Sequence, residues 1–237
     1  MASHEARHAL RQTPGHLEQA AICPPTRPAG LTYGERVRVL IAHTKGGVGK
    51  TTTAVHLAAA LAEDAPTILV DLDTNPAALD WATGGRLPMP VYGIEDGRAA
   101  MRTHQGHTVI DAPARPGDDQ LVRFAEAANL VVIPTPPADL ALRALRRVVA
   151  TLANSGTPYR VLLTLVPPYP SDLGAWARDR LTSAGVPLFR ADIPRMIAFE
   201  HATNAGGLVH EARGGMRAWD RYRDVAREVL HHAETQA

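Results

Sequence analysis

Nine residues, Thr44-Lys45-Gly46-Gly47-Val48-Gly49-Lys50-Thr51-Thr52, constrain this chain more than any other feature. They follow the apolar run Val37–Ala42 and lead into a helical pattern from Lys50 to about Ala62. Glycines between a strand and a helix let backbone N–H groups converge on an anion without Cβ obstruction, and the helix N-terminus adds positive potential. Thr44 stands where a G-x-x-x-x-G-K-[ST] pattern has its first glycine. Composition argues against a glycine-rich turn with incidental lysines. Of 25 basic residues only Lys45 and Lys50 are lysine, and both fall in this stretch. The reading is a phosphate-binding loop in which Lys50 reaches the β/γ-phosphates and the Thr51 hydroxyl ligates Mg²⁺.

Short apolar runs at Pro66–Val70, Thr108–Ile110, Leu130–Ile133, Arg160–Val166 and Pro187–Arg190 read as further strands. Helical patterns occupy Asp119–Ala127, Ala138–Ala153, Asp172–Ala184, Ile197–Asn204 and Arg217–His232. This alternation predicts an α/β fold, a mostly parallel twisted sheet with helices on both faces. Ligands in such folds sit beyond the carboxyl ends of strands, where Lys45–Thr52, Asp71, Asp73 and Asp111 all fall. Residues 1–35 are polar and broken by proline and glycine, and read as a flexible arm before one domain spanning 36–237. A single cysteine, Cys23, excludes an intramolecular disulfide or a cysteine-built metal site and suits a reducing cytoplasm. Neither a transmembrane helix nor a secretory signal is expected. The formal net charge is +1, so any nucleic-acid surface must be local.

The K-G-G-V-G-K-T-T form, with its second lysine, resembles the deviant Walker A signature of the ParA/MinD superfamily of P-loop ATPases. The resemblance runs over about residues 37–230. Asp71-Leu72-Asp73-Thr74-Asn75-Pro76 is similar to the family's D-x-D-P-Q switch I segment, departing at Thr74 and Asn75. Thr108-Val109-Ile110-Asp111-Ala112-Pro113 looks like its Walker B and switch II. Trp81-Ala82 is typical of small plasmid-type members. The resemblance implies ATP/ADP and Mg²⁺ as ligands, with Lys45, Gly46, Gly47, Val48, Gly49, Lys50, Thr51 and Thr52 around the phosphates. It implies Pro194 and Arg195 near the adenine. Thr51, Asp71 and Asp111 would hold the metal, the aspartates through its waters, and Asp73 would position the attacking water. Lys45 would cross an ATP-dependent homodimer to the neighbour's phosphates.

Among relatives, nitrogenase-type iron proteins need two cysteine ligands per chain, and this chain has one cysteine. A MinD-like membrane tail is not expected, because the chain ends in His-His-Ala-Glu-Thr-Gln-Ala after the apolar arc of its last helix. The resemblance therefore implies a ParA-type switch that segregates plasmid or chromosome cargo, binds duplex DNA nonspecifically and answers to a ParB-like adaptor. Such a protein would be cytoplasmic and nucleoid-associated when ATP-bound. Candidate DNA contacts are Arg213, Arg217 and Arg221. On the last helix Arg217, Arg221, Arg223 and Arg227 lie on one arc with Asp220, Asp224 and Glu228, and the i,i+3 spacing also suits a salt-bridged, solvated face. Two alternatives stay open: a MinD-like or other cargo-positioning ATPase, and a metabolic P-loop enzyme of the same fold.

Overall fold

The computed structural model describes residues 36–153 and 155–236. The expected arm at 1–35, with Cys23, lies outside the described residues.

Six parallel strands form one sheet in the order β3-β2-β4-β1-β5-β6. They are β1 (Arg38–Ile41), β2 (Thr67–Asp71), β3 (Val91–Tyr92), β4 (His107–Asp111), β5 (Leu130–Thr135) and β6 (Tyr159–Leu163). The helices are α1 (Lys50–Leu61), α2 (Ala77–Ala82), α3 (Ile94–Thr103), α4 (Asp118–Glu126), α5 (Asp139–Leu152), α6 (Leu173–Ser183), α7 (Ala198–Asn204) and α8 (Met216–Gln236), with a 3-10 turn at Val209–Glu211 before α8. Because both faces are covered, the strands are apolar throughout and their alternation only sorts residues between two cores. Val39 and Ile41 of β1, with Leu130 and Val132 of β5, face α1 and α8. Leu40, Val131 and Ile133 face α4, α5 and α6.

Since all strands run one way, every carboxyl end lies on one edge. Register places Asp111 beside both Ile41 and Asp71, so the ends of β1, β2 and β4 are level. The chain steps outward from β1 to β2 and later crosses back from β4 to β5 on the other side of β1. Strand order thus reverses at β1, the place where doubly wound sheets open a crevice for ligands.

The expected strand at Pro187–Arg190 reduces to a single parallel bridge between Leu188 and Val161, closed by Phe189 N–H donating to Val161 C=O. Pro187 supplies no N–H of its own, which limits the pairing. The elements α2, β3 and α3 had no counterpart in the sequence reading. Trp81 of α2 is buried, and its indole N–H donates to Gly207 C=O at 3.0 Å.

The apolar arc of α8 packs inward through Trp219, Tyr222, Val225 and Val229. At its centre lies a fully buried histidine of α1, His56. His56 Nε2 accepts the Val209 N–H at 3.0 Å, so Nδ1 carries the proton and donates to Thr52 C=O at 2.8 Å. The ring stacks on Tyr222 and meets Trp81 and Phe199 edge-on. Burial drives its pKa down to about 4, against the opposing hydrogen bond to Thr52. The unfolded chain therefore binds more protons between pH 4 and 6.5, and this contribution to stability is present above 6.5 and lost as pH falls through 4. His56→Leu should be less stable at pH 7.5, having left the Val209 N–H unpaired. Its unfolding free energy should nonetheless fall by about 2 kcal/mol less than the parent's on going to pH 4.5, measured by urea titration.

Candidate nucleotide-binding site

The loop between β1 and α1 has the geometry that its glycines permit. Gly47 and Gly49 lie at φ 71° and 88°, in the left-handed region where a side chain is strained. Val48 between them is buried, and its carbonyl accepts the Thr164 hydroxyl at 2.8 Å, tying the loop to the segment after β6. At the loop's entrance His43 is buried, and its Nδ1 accepts the Lys45 N–H at 2.9 Å. Sequence reasoning missed both residues. The signal available was a polar residue just past the end of an apolar strand.

Lys50 opens α1 and is buried. Burial lowers its pKa, offset by Asp111 and Asp73, so a cation is held in a low-dielectric position with two carboxylates close enough to be felt. Thr51 Oγ1 donates to Asp111 Oδ2 at 2.7 Å. Asp111 Oδ1 is buried without a partner among the described residues. Burial, with Asp71 and Asp73 nearby, pushes the Asp111 carboxyl up to about 7 against the Thr51 hydrogen bond and Lys50.

Asp71 is fully buried at the end of β2. Its Oδ1 accepts the Asp73 N–H at 3.0 Å, and Oδ2 accepts those of Ala78 and Leu79 at 2.9 and 3.4 Å. Burial raises its pKa, and these three N–H groups oppose the rise. Asp71 thus anchors the start of α2, and its Oδ1 keeps a further lone pair. Asp73 spans two loops, accepting Asn75 N–H at 3.0 Å and Ala114 N–H at 2.8 Å. Thr74 and Asn75 are exposed on this bridge.

The donor set suits Mg²⁺. A hydroxyl, an unpartnered buried carboxylate oxygen and a second carboxylate are hard oxygen donors. Among the described residues no three His, Cys, Asp or Glu side chains converge as a cage. The ion would keep waters and substrate oxygens in its shell, the usual habit of Mg²⁺.

The segment holding Pro194 and Arg195 pairs with Val166 beyond the end of β6, where Arg195 N–H donates to Val166 C=O at 2.8 Å. It lies on the same edge of the sheet as the loop, and Arg195 is exposed. Of the candidate arginines, Arg221 pairs with Asp224 at 3.4 Å within α8. Arg213 and Arg217 are exposed and make no ion pair or hydrogen bond among the described residues.

The raised pKa of Asp111 generates a prediction. A bound divalent cation holds this carboxyl ionised, so Mg-nucleotide binding near pH 6 should release a proton. Calorimetric titrations in two buffers of different ionisation enthalpy should give different apparent heats at pH 6 and converge by pH 8.5. Identical heats at pH 6 would remove Asp111 from the metal site.

Comparison with known proteins agrees with this geometry. Residues 39–209 match the family model described as the CobQ/CobB/MinD/ParA nucleotide binding domain. The chain is 36% identical over 200 residues to the maintenance of carboxysome distribution protein A of Gloeobacter kilaueensis, covering 81% of this chain and 93% of that one. In fold it is similar to an ATP complex of Cyanothece McdA, with a TM-score of 0.66 at 16% identity, covering 84% and 97% of the two chains. It also resembles the Mycobacterium smegmatis cobyrinic acid a,c-diamide synthase bound to ADP and magnesium, with a TM-score of 0.62 at 19% identity, covering 86% and 97%. A match over most of the chain, spanning the loop and carboxylates described above, makes this protein a member of the CobQ/CobB/MinD/ParA family of P-loop nucleotide-binding proteins.

Proposed function

We propose that this protein is a Mg-ATP-driven positioning switch that dimerises with ATP, holds to DNA in that state, and is reset by hydrolysis. One observation carries the reading: the two-lysine loop joined through the Thr51–Asp111 hydrogen bond to a partnerless buried carboxylate oxygen. The similarity over nearly the full length of a carboxysome distribution protein favours positioning of a large cargo over plasmid partition. The cargo would be reached through an adaptor protein, the role a ParB-like partner has in partition.

In this scheme Lys50 binds the β/γ-phosphates from within the protomer. Bound Mg²⁺ would neutralise phosphate charge, held by Thr51 directly and by Asp111 and Asp71. Asp73 orients the attacking water, and the γ-phosphate gives Lys45 of the neighbouring protomer a target. A lysine delivered across the dimer makes hydrolysis depend on assembly.

The packing supports a route from the nucleotide to the proposed DNA surface. Switch I continues into α2, whose start is held by Asp71 and whose Trp81 is bonded to Gly207. Gly84 lies so close to Gly206 that a Cβ on Gly84 would come within 2.7 Å of the Gly206 Cα. Arg86 pairs with Glu211, which also accepts the Leu208 N–H at 2.8 Å. Movement of α2 would thus reach residues 206–211, immediately before Arg213 and Arg217, which have no ion-pair partner among the described residues. These two are the arginines this reading assigns to phosphate contacts, because Arg221 is already engaged with Asp224.

Two experiments test the proposal. Asp73→Ala should bind Mg-ATP like the parent yet hydrolyse it at least tenfold more slowly, whereas Lys50→Ala should fail to bind; roughly this loss is expected when a water-orienting group is removed. The ATP form should be retained on nonspecific duplex DNA with steep salt dependence. The Arg213→Glu, Arg217→Glu double variant should lose retention while still dimerising with ATP. Retention of the ATP form no stronger than that of the ADP form would contradict the DNA component, and binding to anionic vesicles instead would point to membrane positioning.

A further inference from the structure

We infer that His43 is a positioning residue for Lys45: its Nδ1 lone pair accepts the Lys45 N–H and so fixes the main chain from which that lysine reaches a neighbouring protomer. The inference rests on the role given to Lys45 above, and it concerns a residue outside the phosphate-binding motif.

The argument begins from an imbalance. His43 is fully buried. Because Nδ1 accepts a hydrogen bond, the neutral ring must carry its proton on Nε2. That Nε2 is buried and has no partner among the described residues. A buried donor left unpaired costs about 1–3 kcal/mol, so this imidazole is a poor choice for stability alone. An apolar residue of similar volume would remove the orphan without filling the core less well. What such a residue could not do is accept the Lys45 N–H. Burial, with Lys50 and Lys45 adding repulsion, holds the imidazolium pKa down to about 4, so at neutral pH the Nδ1 lone pair is free to accept. Local geometry gives that acceptor work to do. Gly46 and Gly47 follow directly, both exposed and with nothing within 4 Å of a Cβ built on either. The loop start therefore has little packing of its own, while its far end is clamped by Thr164 on Val48. The His43 bond is the corresponding clamp at the near end. A shift of the order of 1 Å in a group that must meet a reacting phosphate costs about a hundredfold in rate.

Asparagine is the informative substitution, since its Oδ1 sits at the same branch point as Nδ1 and can accept the same N–H. Three proteins are compared: the parent, His43→Leu and His43→Asn. His43→Leu should melt no lower than the parent and bind Mg-ATP with similar affinity, because Lys50 and Thr51 are untouched. Its hydrolysis should fall about tenfold or more, and His43→Asn should recover most of that loss. A role in packing alone predicts the opposite ranking, with His43→Leu active and His43→Asn destabilised. Parental hydrolysis by His43→Leu, or equal impairment of both variants, would overturn the inference. Should the parent itself bind Mg-ATP without hydrolysing it, the functional reading fails on its own terms. The positioning claim is then decided by NMR. The parent must show the Nε2–H tautomer of His43, and Lys45 amide protection must persist in His43→Asn and vanish in His43→Leu. Any other pattern refutes it.

Discussion

A hydroxyl on the first turn of α1 donates to a carboxylate at the end of β4, sixty residues away in sequence, and the site depends on that Thr51–Asp111 bond. It is possible because β1 and β4 are adjacent and in register, so Ile41 and Asp111 end side by side. The bond satisfies only one oxygen. The other is buried and unpartnered among the described residues, and the carboxyl is pushed up to about 7, which describes a pocket short of positive charge. Lys50 offsets only part of the deficit, its charge opposing the rise of the Asp111 pKa. Mg²⁺ would balance the carboxylates, while Lys50 and the loop N–H groups would receive the nucleotide phosphates.

The rest of the molecule ties that local imbalance to its surroundings. Asp71 and Asp73 commit their oxygens to backbone N–H groups of switch I, of α2 and of the loop after β4. These hydrogen bonds tie the three segments together at the site. Behind them, His56 bonds Thr52 of α1 to the Val209 turn and stacks on Tyr222 of α8. The end of α2 rests on Gly206 and Gly207. Phosphate loop, switch and C-terminal helix thus meet at one small polar cluster inside an otherwise apolar core. Packed elements of this kind move between discrete arrangements rather than deform continuously.

Most of the sheet was legible in the sequence, because fully buried parallel strands are short apolar runs and the helices between them are long and periodic. Segments that were missed lack those signatures. Strand β3 has two residues and α2 six, too few for a period to emerge. Helix α3 carries Gly97 against Val70, a close approach that a helical pattern search penalises. The phosphate loop was readable because its chemistry is contiguous. Asp71 and Asp73 were found by resemblance, but their backbone partners were not, since those depend on how the loops fold back. His43, Thr164 and Trp81 illustrate the same limit. Each acts through one hydrogen bond that no sequence pattern displays: His43 bonds the Lys45 N–H two residues on, and for Thr164 and Trp81 the other end is more than a hundred residues distant. The C-terminal arginines divide similarly. The spacing of those on α8 allowed both a salt-bridged face and a phosphate-binding one, and the structure gives Arg221, Arg223 and Arg227 acidic partners while leaving Arg213 and Arg217 without one among the described residues.

The central claim is that the γ-phosphate, through Lys45, controls assembly of this chain. Light scattering of the purified full-length protein with Mg²⁺ and no nucleotide, ADP or ATP tests it most directly. The account predicts the mass of one chain without nucleotide and with ADP, and twice that mass with ATP. A mass that is the same in all three conditions would contradict it.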